Sequence, residues 1–282
     1  MHDTTDIKEA VRERYARTAT AGTSCCGQPA ATDGRGCGCG TSSQGIGTAA
    51  LGYSAGDLET LPDGADMGLG CGNPLAMLEL RTGETVLDLG SGGGIDCFIA
   101  STRVGPSGRV IGVDMTPEMV AKARRNAAAG EYGNVEFRLG EIEHLPVADS
   151  SIDAIISNCV INLAPDKAQV FADAFRALRP GGRLSVSDIV LLGEVPVSIR
   201  DSVEAYVACL SGAILRDDYL ALMAEAGFTD IRLTGETAFE LEDVVATDLV
   251  AEYRRHTGAT DEELRAAAAR FQSVRVAAIK PA

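Results

Sequence analysis

The feature that most constrains the fold is an alternation of short apolar runs with longer helical patterns between residues 70 and 192. The apolar runs predict strands at 85–89, 109–114, 134–139, 152–157 and 183–191. The segments between them predict helices at 95–103, 117–129 and 166–178. Strands separated by helices of this length form a parallel, doubly wound sheet, so the predicted fold class is α/β.

Composition divides the 282-residue chain into three regions. Residues 1–68 begin with an amphipathic helical pattern at 6–18 and continue into a loop at 19–56 that is rich in Gly, Ser, Thr and Ala. Residues 69–192 carry the alternating pattern. Residues 193–282 are predicted to be mainly helical and close with a strand-like run at 272–279.

The charge balance excludes two classes of partner. The chain has 25 Lys and Arg against 40 Asp and Glu, a net charge of −15, which repels phosphate backbones and anionic lipid. We therefore expect no nucleic acid and no membrane partner. No apolar run approaches the roughly 18–20 residues of a membrane span, and the charged start of the chain does not resemble a secretory signal. These features predict a cytoplasmic protein, with a monomer as the default expectation.

A glycine-rich turn follows the first predicted strand in VLDLGSGGG (86–94). Glycines permit a tight turn and allow a ligand to lie against bare backbone at a helix N-terminus. The dinucleotide-binding pattern requires a third glycine at position 95, where Ile95 stands, so an NAD site is disfavoured. Asp114 ends the next predicted strand, where a carboxylate can bind ribose hydroxyls.

The D-x-G-x-G-x-G pattern from Asp88 to Gly94 resembles motif I of the class I S-adenosylmethionine-dependent methyltransferases, and the resemblance spans about 84–190. It implies a Rossmann-like sheet with S-adenosylmethionine as cofactor. It places Asp114 at the ribose, Met115 beside the adenine, and Glu141 with Ile142 at the adenine edge. The residues implied near the methionine part are Asp88, Gly90, Ser91, Gly92 and Gly94. Asn158 lies at the predicted sheet edge, which favours a cofactor or acceptor contact over simple strand-end capping.

Three cysteines are candidates for an acceptor site. Cys159 follows the fourth predicted strand, Cys71 precedes the first strand between two glycines, and Cys209 lies on a predicted helix that could cover the site. Three thiolates suit a soft, pyramidal ion such as trivalent arsenic. Trivalent arsenic keeps a lone pair, so it can accept a methyl group by in-line attack without a base, and catalysis would come mainly from positioning.

The remaining cysteines carry weaker signals. Cys97 lies within an apolar helical pattern and is interpreted as a core residue. The adjacent Cys25 and Cys26 could be a redox partner or a chelator, and Cys37 with Cys39 is given no role in the core reaction. His144 is interpreted as structural.

The pattern as a whole resembles the arsenite methyltransferases over nearly the full chain, and the cysteine-bearing stretches are its most specific part. The matching stretches are VRERYA (11–16), TSCCGQP (23–29), GLGCGNP (68–74), VLDLGSGGG (86–94), VIGVDMTPE (110–118), SNCVINL (157–163) and EAYVACLSGAI (204–214). The resemblance implies methylation of arsenite and methylarsenite, which arrive as thiol complexes, at Cys159 and Cys209. It makes Cys71 a third ligand or redox partner, able to pair with a cysteine of the Cys25–Cys26 region. Glutathione or thioredoxin would then reduce the disulfide, and the biological role would be arsenic detoxification.

Two alternatives stay open at this point. A methyltransferase of a small organic acceptor should have an aromatic-lined site, yet aromatic residues are only 5% of the chain. A non-catalytic thiol-based binder of trivalent arsenic or soft metals would explain the cysteines, although it leaves the cofactor motifs without a purpose.

Overall fold

The computed structural model describes residues 4–21, 48–196, 212–238, 254–255 and 258–282. The helices are α1 (Thr4–Ala21), α2 (Ala55–Glu59), α3 (Ile95–Val104), α4 (Pro117–Ala129), α5 (Lys167–Ala177), α6 (Arg216–Glu225) and α7 (Asp261–Ala268), with short 3₁₀ helices at Thr48–Leu51 and Ile161–Leu163. The strands are β1 (Thr85–Leu89), β2 (Arg109–Asp114), β3 (Val135–Leu139), β4 (Ile152–Asn158), β5 (Leu178–Leu191), β6 (Thr229–Ala238) and β7 (Phe271–Ile279).

All of these strands form one seven-stranded sheet in the order β3-β2-β1-β4-β5-β7-β6. The pairs from β3 to β5 are parallel, whereas β7 runs antiparallel to both β5 and β6. The sheet is therefore mostly parallel and doubly wound, and the predicted α/β fold class is confirmed.

Hydrophobic clusters cover both faces of the sheet. On one face Leu87 and Ile155 pack with residues of α5 and α6, such as Phe171 and Tyr219. On the other face Val86 packs with residues of α3 and α4. Coverage of both faces explains why β1, β2 and β4 read as nearly continuous apolar runs in the sequence.

Two elements differ from the sequence prediction. Strand β5 begins at Leu178 rather than 183, because Leu178 pairs with Ile152 before an irregular stretch at 179–182 interrupts the ladder. Strand β6 is not predicted at all. It is an edge strand whose side chains are mostly exposed or half-buried, so its sequence lacks the apolar alternation that marks a strand. Its position beside β7 extends the central sheet into the C-terminal part of the chain.

The topology brings the candidate residues to one edge of the sheet. Strands β1, β2 and β4 are parallel neighbours, so the Gly-rich turn, Asp114 and Asn158 lie at their shared carboxyl ends. No helix among the described residues is long and apolar enough to cross a membrane.

Candidate active site

The Gly-rich turn is shaped by its backbone. Gly90, Gly92 and Gly94 all have positive φ values, of 69°, 49° and 98°, which side-chain-bearing residues rarely adopt. The N–H groups of Gly90 and Ser91 both donate to the carbonyl of Val113, at 2.8 and 3.0 Å, and tie the turn to β2. The space above Gly92 is open. The turn therefore offers bare backbone to a cleft at the start of α3.

Three glycines of this turn, Gly90, Gly93 and Gly94, have no room for a side chain. A Cβ on Gly90 would lie 2.4 Å from Cγ2 of Val160, and one on Gly94 would lie 2.7 Å from the ring of Phe98. Gly94 thus serves packing beneath the turn, whereas Gly90, Ser91 and Gly92 line the cleft.

Asp114 closes the turn from the β2 side. Its two carboxylate oxygens accept hydrogen bonds from the N–H of Gly92 at 3.0 Å and of Thr116 at 2.8 Å. Burial raises the pKa of Asp114, and these two backbone donors oppose that rise. The carboxylate lies in the cleft wall beside Met115, where the sequence analysis places both residues.

Asp88 and Asp96 add buried acid to the same cleft. Burial and then the charge of Asp96 raise the pKa of Asp88 well above its usual range. Burial also raises the pKa of Asp96 to about 6, although hydrogen bonds from Tyr53 and Asn158 oppose the shift. The thiol of Cys97 is fully buried and donates to Asp88 at 3.2 Å, which confirms that Cys97 is a core residue.

Asn158 links this acid pair to the loop that carries Cys71. Its amide nitrogen donates to Asp96 at 3.2 Å and to the carbonyl of Gly72 at 2.9 Å, while its oxygen accepts from the N–H of Cys71 at 3.2 Å. A Cβ on Gly70 would lie 2.7 Å from that amide nitrogen. The glycine before Cys71 therefore allows the loop to lie directly against the end of β4.

Cys71 and Cys159 meet at this edge, although 87 positions separate Cys71 from Asn158, the residue before Cys159. Cys159 has a left-handed backbone (φ 57°), and its N–H donates to the carbonyl of Ser187 at 2.8 Å. The Cys71 Sγ lies 3.7 Å from the same carbonyl oxygen. Cys159 is buried and Cys71 is half-buried. The structure thus brings together two of the three predicted acceptor ligands.

Asp188 completes the cluster and was missed by the sequence analysis. Its carboxylate oxygen and the two sulfur atoms of Cys71 and Cys159 all lie within 4.8 Å of one another. Burial raises the pKa of Asp188 to about 6. Its oxygens accept from Asn162 at 2.9 Å and from the hydroxyl of Tyr219 at 3.3 Å. The available signal was an acid inside the apolar run SVSDIVLL (185–192).

Helix α1 covers the adenine-edge side of the cleft. Lys8 forms ion pairs with Glu141 at 2.7 Å and Glu143 at 2.9 Å, and Arg12 pairs with Glu141 at 2.9 Å. Of the two predicted adenine-edge residues, Ile142 lines the cleft, whereas Glu141 faces α1. Glu143, Lys8 and the other cleft residues of α1 were not identified from the sequence.

The cleft between these elements spans about 1060 Å³ of space, including the open solvent at its entrance. The buried Asp88 and Asp96 and the half-buried Asp114 suit a ligand that carries positive charge, as the sulfonium and ammonium groups of S-adenosylmethionine do. The hydroxyl of Ser91 is buried without a hydrogen-bond partner among the described residues. Open space over Gly92 and an unpaired polar atom beside it both fit the predicted cofactor.

Four of the cysteines from the sequence analysis, Cys25, Cys26, Cys37 and Cys39, and the third predicted ligand, Cys209, lie outside the described residues. Their predicted roles stay predictions.

A family model described as a methyltransferase domain matches residues 80–227. An arsenite methyltransferase of Halobacterium salinarum is 52% identical over 234 residues, which cover 82% of this chain and 59% of that protein. An arsenite methyltransferase of Aquipseudomonas alcaligenes is 42% identical over 192 residues, or 66% of this chain and 55% of that protein. The chain thus spans less than two thirds of the length of these curated relatives.

A solved structure is similar over most of both chains. It is the crystal structure of an arsenic(III) S-adenosylmethionine methyltransferase from Chlamydomonas reinhardtii, which is 36% identical and superposes with a TM-score of 0.63. The match covers 83% of this chain and 73% of that chain. The fold, the cleft and the family match agree, and the chain therefore belongs to the methyltransferase domain family.

Proposed function

We propose that this chain methylates trivalent arsenic that is bound by cysteine thiolates. The observation that carries the proposal is the pairing of Cys71 with Cys159 at the mouth of the cofactor cleft. Cys159, with its neighbours Asn158 and Val160, lines that cleft, and Val160 lies directly against Gly90 of the Gly-rich turn. An acceptor on these sulfur atoms would therefore adjoin the cofactor turn.

The same geometry supports a role for the cleft residues in binding the cofactor. When bound, S-adenosylmethionine supplies an electrophilic methyl group on a positively charged sulfur. The backbone of Gly90, Ser91 and Gly92 would support it, Asp114 would bind its ribose, and Asp88 with Asp96 would compensate its charge. Ile142 and Met115 would contact the adenine from the far side of the cleft.

The protein's contribution to the transfer would be positioning. Thiolates hold arsenic and direct its lone pair towards the methyl group, so the arsenic–carbon bond forms as the carbon–sulfur bond breaks. No proton leaves the arsenic, which is why the site needs no general base. Cys209 would be the third thiol, contributed by the C-terminal region from residue 193, and arsenite and methylarsenite would both be acceptors.

Methyl transfer raises arsenic formally from the trivalent to the pentavalent state, so repeated turnover needs two electrons. Two protein thiols would supply them by forming a disulfide, with release of two protons. Cys71 with Cys25 or Cys26 is the proposed pair, and glutathione or thioredoxin would restore the thiols by exchange. The reaction would take place in the cytoplasm and serve arsenic detoxification.

The test is a labelled-methyl assay on the purified chain. The protein is incubated with methyl-labelled S-adenosylmethionine, glutathione and arsenite, and arsenic species are separated by chromatography with elemental detection. We expect labelled methylarsenicals that depend on arsenite. Cys37→Ser is the matched control, because it changes a thiol in the same way at a position that is given no role in the core reaction.

Each other outcome points to one of the alternatives. Arsenite-induced quenching of tyrosine fluorescence without any product would leave a thiol-based binder, and the lack of tryptophan keeps that signal clean. Cofactor binding without either arsenic signal would favour a small organic acceptor.

A further inference from the structure

The cluster of Cys71, Cys159 and Asp188 contains a donor atom beyond the two thiols that would bind arsenic. Its three donor atoms come from three separate segments of the chain, the loop before β1, the residue after β4, and the interior of β5, and all lie within 4.8 Å of one another. Two of the donors are sulfur and the third is a carboxylate oxygen. The oxygen is the unexplained member, because trivalent arsenic favours thiolates.

The donor set matches a divalent cation of intermediate softness. Zinc is bound in proteins by cysteine sulfur at about 2.3 Å and by carboxylate oxygen at about 2.0–2.2 Å, so neighbouring ligand atoms of a tetrahedral site lie about 3.3–3.8 Å apart. Because the present separations are at most 4.8 Å, side-chain torsions of Cys71 and Asp188 need to close them by at most about 1 Å to reach the upper end of that range. Water can complete the coordination.

The three donors are oriented by their surroundings as metal ligands are. One oxygen of Asp188 accepts hydrogen bonds from the Asn162 amide and from the Ile189 N–H, both at 2.9 Å. Its other oxygen accepts only a 3.3 Å bond from the Tyr219 hydroxyl among the described residues, which leaves lone pairs for a cation. Hydrogen bonds of this kind fix the orientation of a ligating carboxylate.

The backbone of both cysteines is fixed as well. The N–H of Cys71 donates to Asn158 and its carbonyl accepts from the Ser273 hydroxyl at 2.9 Å. Cys159 is fixed through its N–H bond to Ser187, the residue before Asp188. The scaffold therefore sets all three donors around one point.

We propose that Cys71, Cys159 and Asp188 form a binding site for a divalent, sulfur-binding cation, with zinc as the physiological candidate and cadmium as its tighter-binding analogue. Binding converts the two thiols to metal-bound thiolates with release of two protons, and it neutralises part of the charge of the buried carboxylate. Metal binding itself needs neither arsenic nor cofactor. The effect of metal binding on catalysis rests on the proposed function. The cation occupies the thiols that would hold arsenic, so it would inhibit methylation in competition with arsenite.

The test uses the reduced, metal-free full chain with Cys25, Cys26, Cys37, Cys39 and Cys209 replaced by Ser, so that thiols outside the cluster do not bind metal. Cd²⁺ is titrated, and the cadmium–thiolate charge-transfer absorbance is followed in competition with a chelator. We expect one Cd²⁺ per chain. In this background Cys71→Ser and Cys159→Ser should each weaken binding at least about a hundredfold, and Asp188→Asn at least about tenfold.

Cys97→Ser is the control and should leave Cd²⁺ affinity unchanged. The proposal is overturned if Asp188→Asn binds Cd²⁺ as tightly as its parent, since the carboxylate would then be no ligand. It is also overturned if Cd²⁺ shows no saturable one-to-one binding. Circular dichroism checks that Asp188→Asn, which preserves the shape of the side chain, is folded.

A second measurement does not depend on any variant. Zn²⁺ is added to the wild-type chain, and the rates at which individual cysteines are alkylated are followed by mass spectrometry. We expect Zn²⁺ to slow alkylation of Cys71 and Cys159 together, at least about tenfold, with one Zn²⁺ sufficient for both. Unequal or absent protection of this pair would contradict a shared site. Because no arsenic is present, failure here is distinguishable from failure of the methylation assay.

Discussion

The cofactor cleft and the thiol cluster lie at the same edge of one sheet, yet they are built differently. The Gly-rich turn in the wall of the cleft is made by consecutive residues, 88–94, which present glycine backbone to the cleft. The thiol cluster is made by single side chains from three distant segments. The first therefore depends on backbone conformation, and the second depends on individual atoms. A substitution confined to the cofactor cleft should therefore leave arsenic binding intact, and a substitution confined to the thiol cluster should leave cofactor binding intact.

The largest effect is expected from Cys159→Ser. The substitution replaces one sulfur atom in the thiol cluster and should lower methylation of both arsenite and methylarsenite at least about a hundredfold, because a proposed arsenic ligand is lost. The affinity for S-adenosylmethionine, measured by calorimetry, should change less than about twofold, since the cleft backbone is untouched. A variant that retained more than a tenth of the wild-type rate would contradict the assignment, and Cys37→Ser serves as the control.

Gly90→Ala should affect both the cofactor cleft and the thiol cluster. A Cβ there would lie 2.4 Å from Val160, the residue after Cys159, in a backbone with φ of 69°. Left-handed strain of about 1–2 kcal/mol and overpacking of about 1–3 kcal/mol together predict a loss of about 2–5 kcal/mol in the free energy of unfolding. Displacement of Val160 should also weaken arsenite binding, as measured by tyrosine quenching.

Gly181→Ala is the matched control for this variant. Gly181 also has a positive φ, of 76°, but nothing lies within 4 Å of a Cβ at that position. It should show the strain without the contact and leave arsenite binding unchanged. Equal losses of stability in the two variants would mean that contact with Val160 contributes nothing.

Asp114→Ala should act on the cofactor half alone. It removes the carboxylate that accepts from Gly92 and Thr116 and that is proposed to bind the ribose. The loss of hydrogen bonds to a charged group predicts weaker S-adenosylmethionine binding by about 1.5–3 kcal/mol, measured by calorimetry. Arsenite quenching should be unaffected, and Asp217→Ala, at an exposed acid of α6, should change neither quantity. Loss of arsenite binding would show that the two halves are coupled through β2.

The difference between the cleft, built from local sequence, and the thiol cluster, built from distant segments, also explains what the sequence could predict. Strands β1, β2 and β4 and the Gly-rich turn are local patterns, so their positions follow from neighbouring residues. Asp114 follows in the same way, because it ends a strand adjacent to the turn.

What the sequence did not reveal depends on contacts between distant segments. Asp188 reaches the thiols only because β5 pairs with β4, and Lys8 meets Glu143 only because α1 packs across the cleft. Glu141 illustrates the same limit: its motif position indicated the adenine edge, yet ion pairs with Lys8 and Arg12 direct it towards α1. Strand β6 was missed because an exposed edge strand needs few apolar residues.

The smallest predicted effect is a pH dependence confined to the cofactor half. Burial raises the pKa of Asp96 to about 6, so this carboxyl is ionised at pH 7 and becomes protonated as the pH falls through 6. A positively charged cofactor favours the ionised form, and its affinity should therefore fall towards low pH. The expected loss of affinity is about tenfold between pH 7 and pH 5, since one pKa unit corresponds to about 1.4 kcal/mol.

S-adenosylhomocysteine lacks the sulfonium charge, so its affinity should depend less on pH. Asp96→Asn should flatten the profile for S-adenosylmethionine, and a profile that kept its slope in this variant would assign the titration to another acid of the cleft.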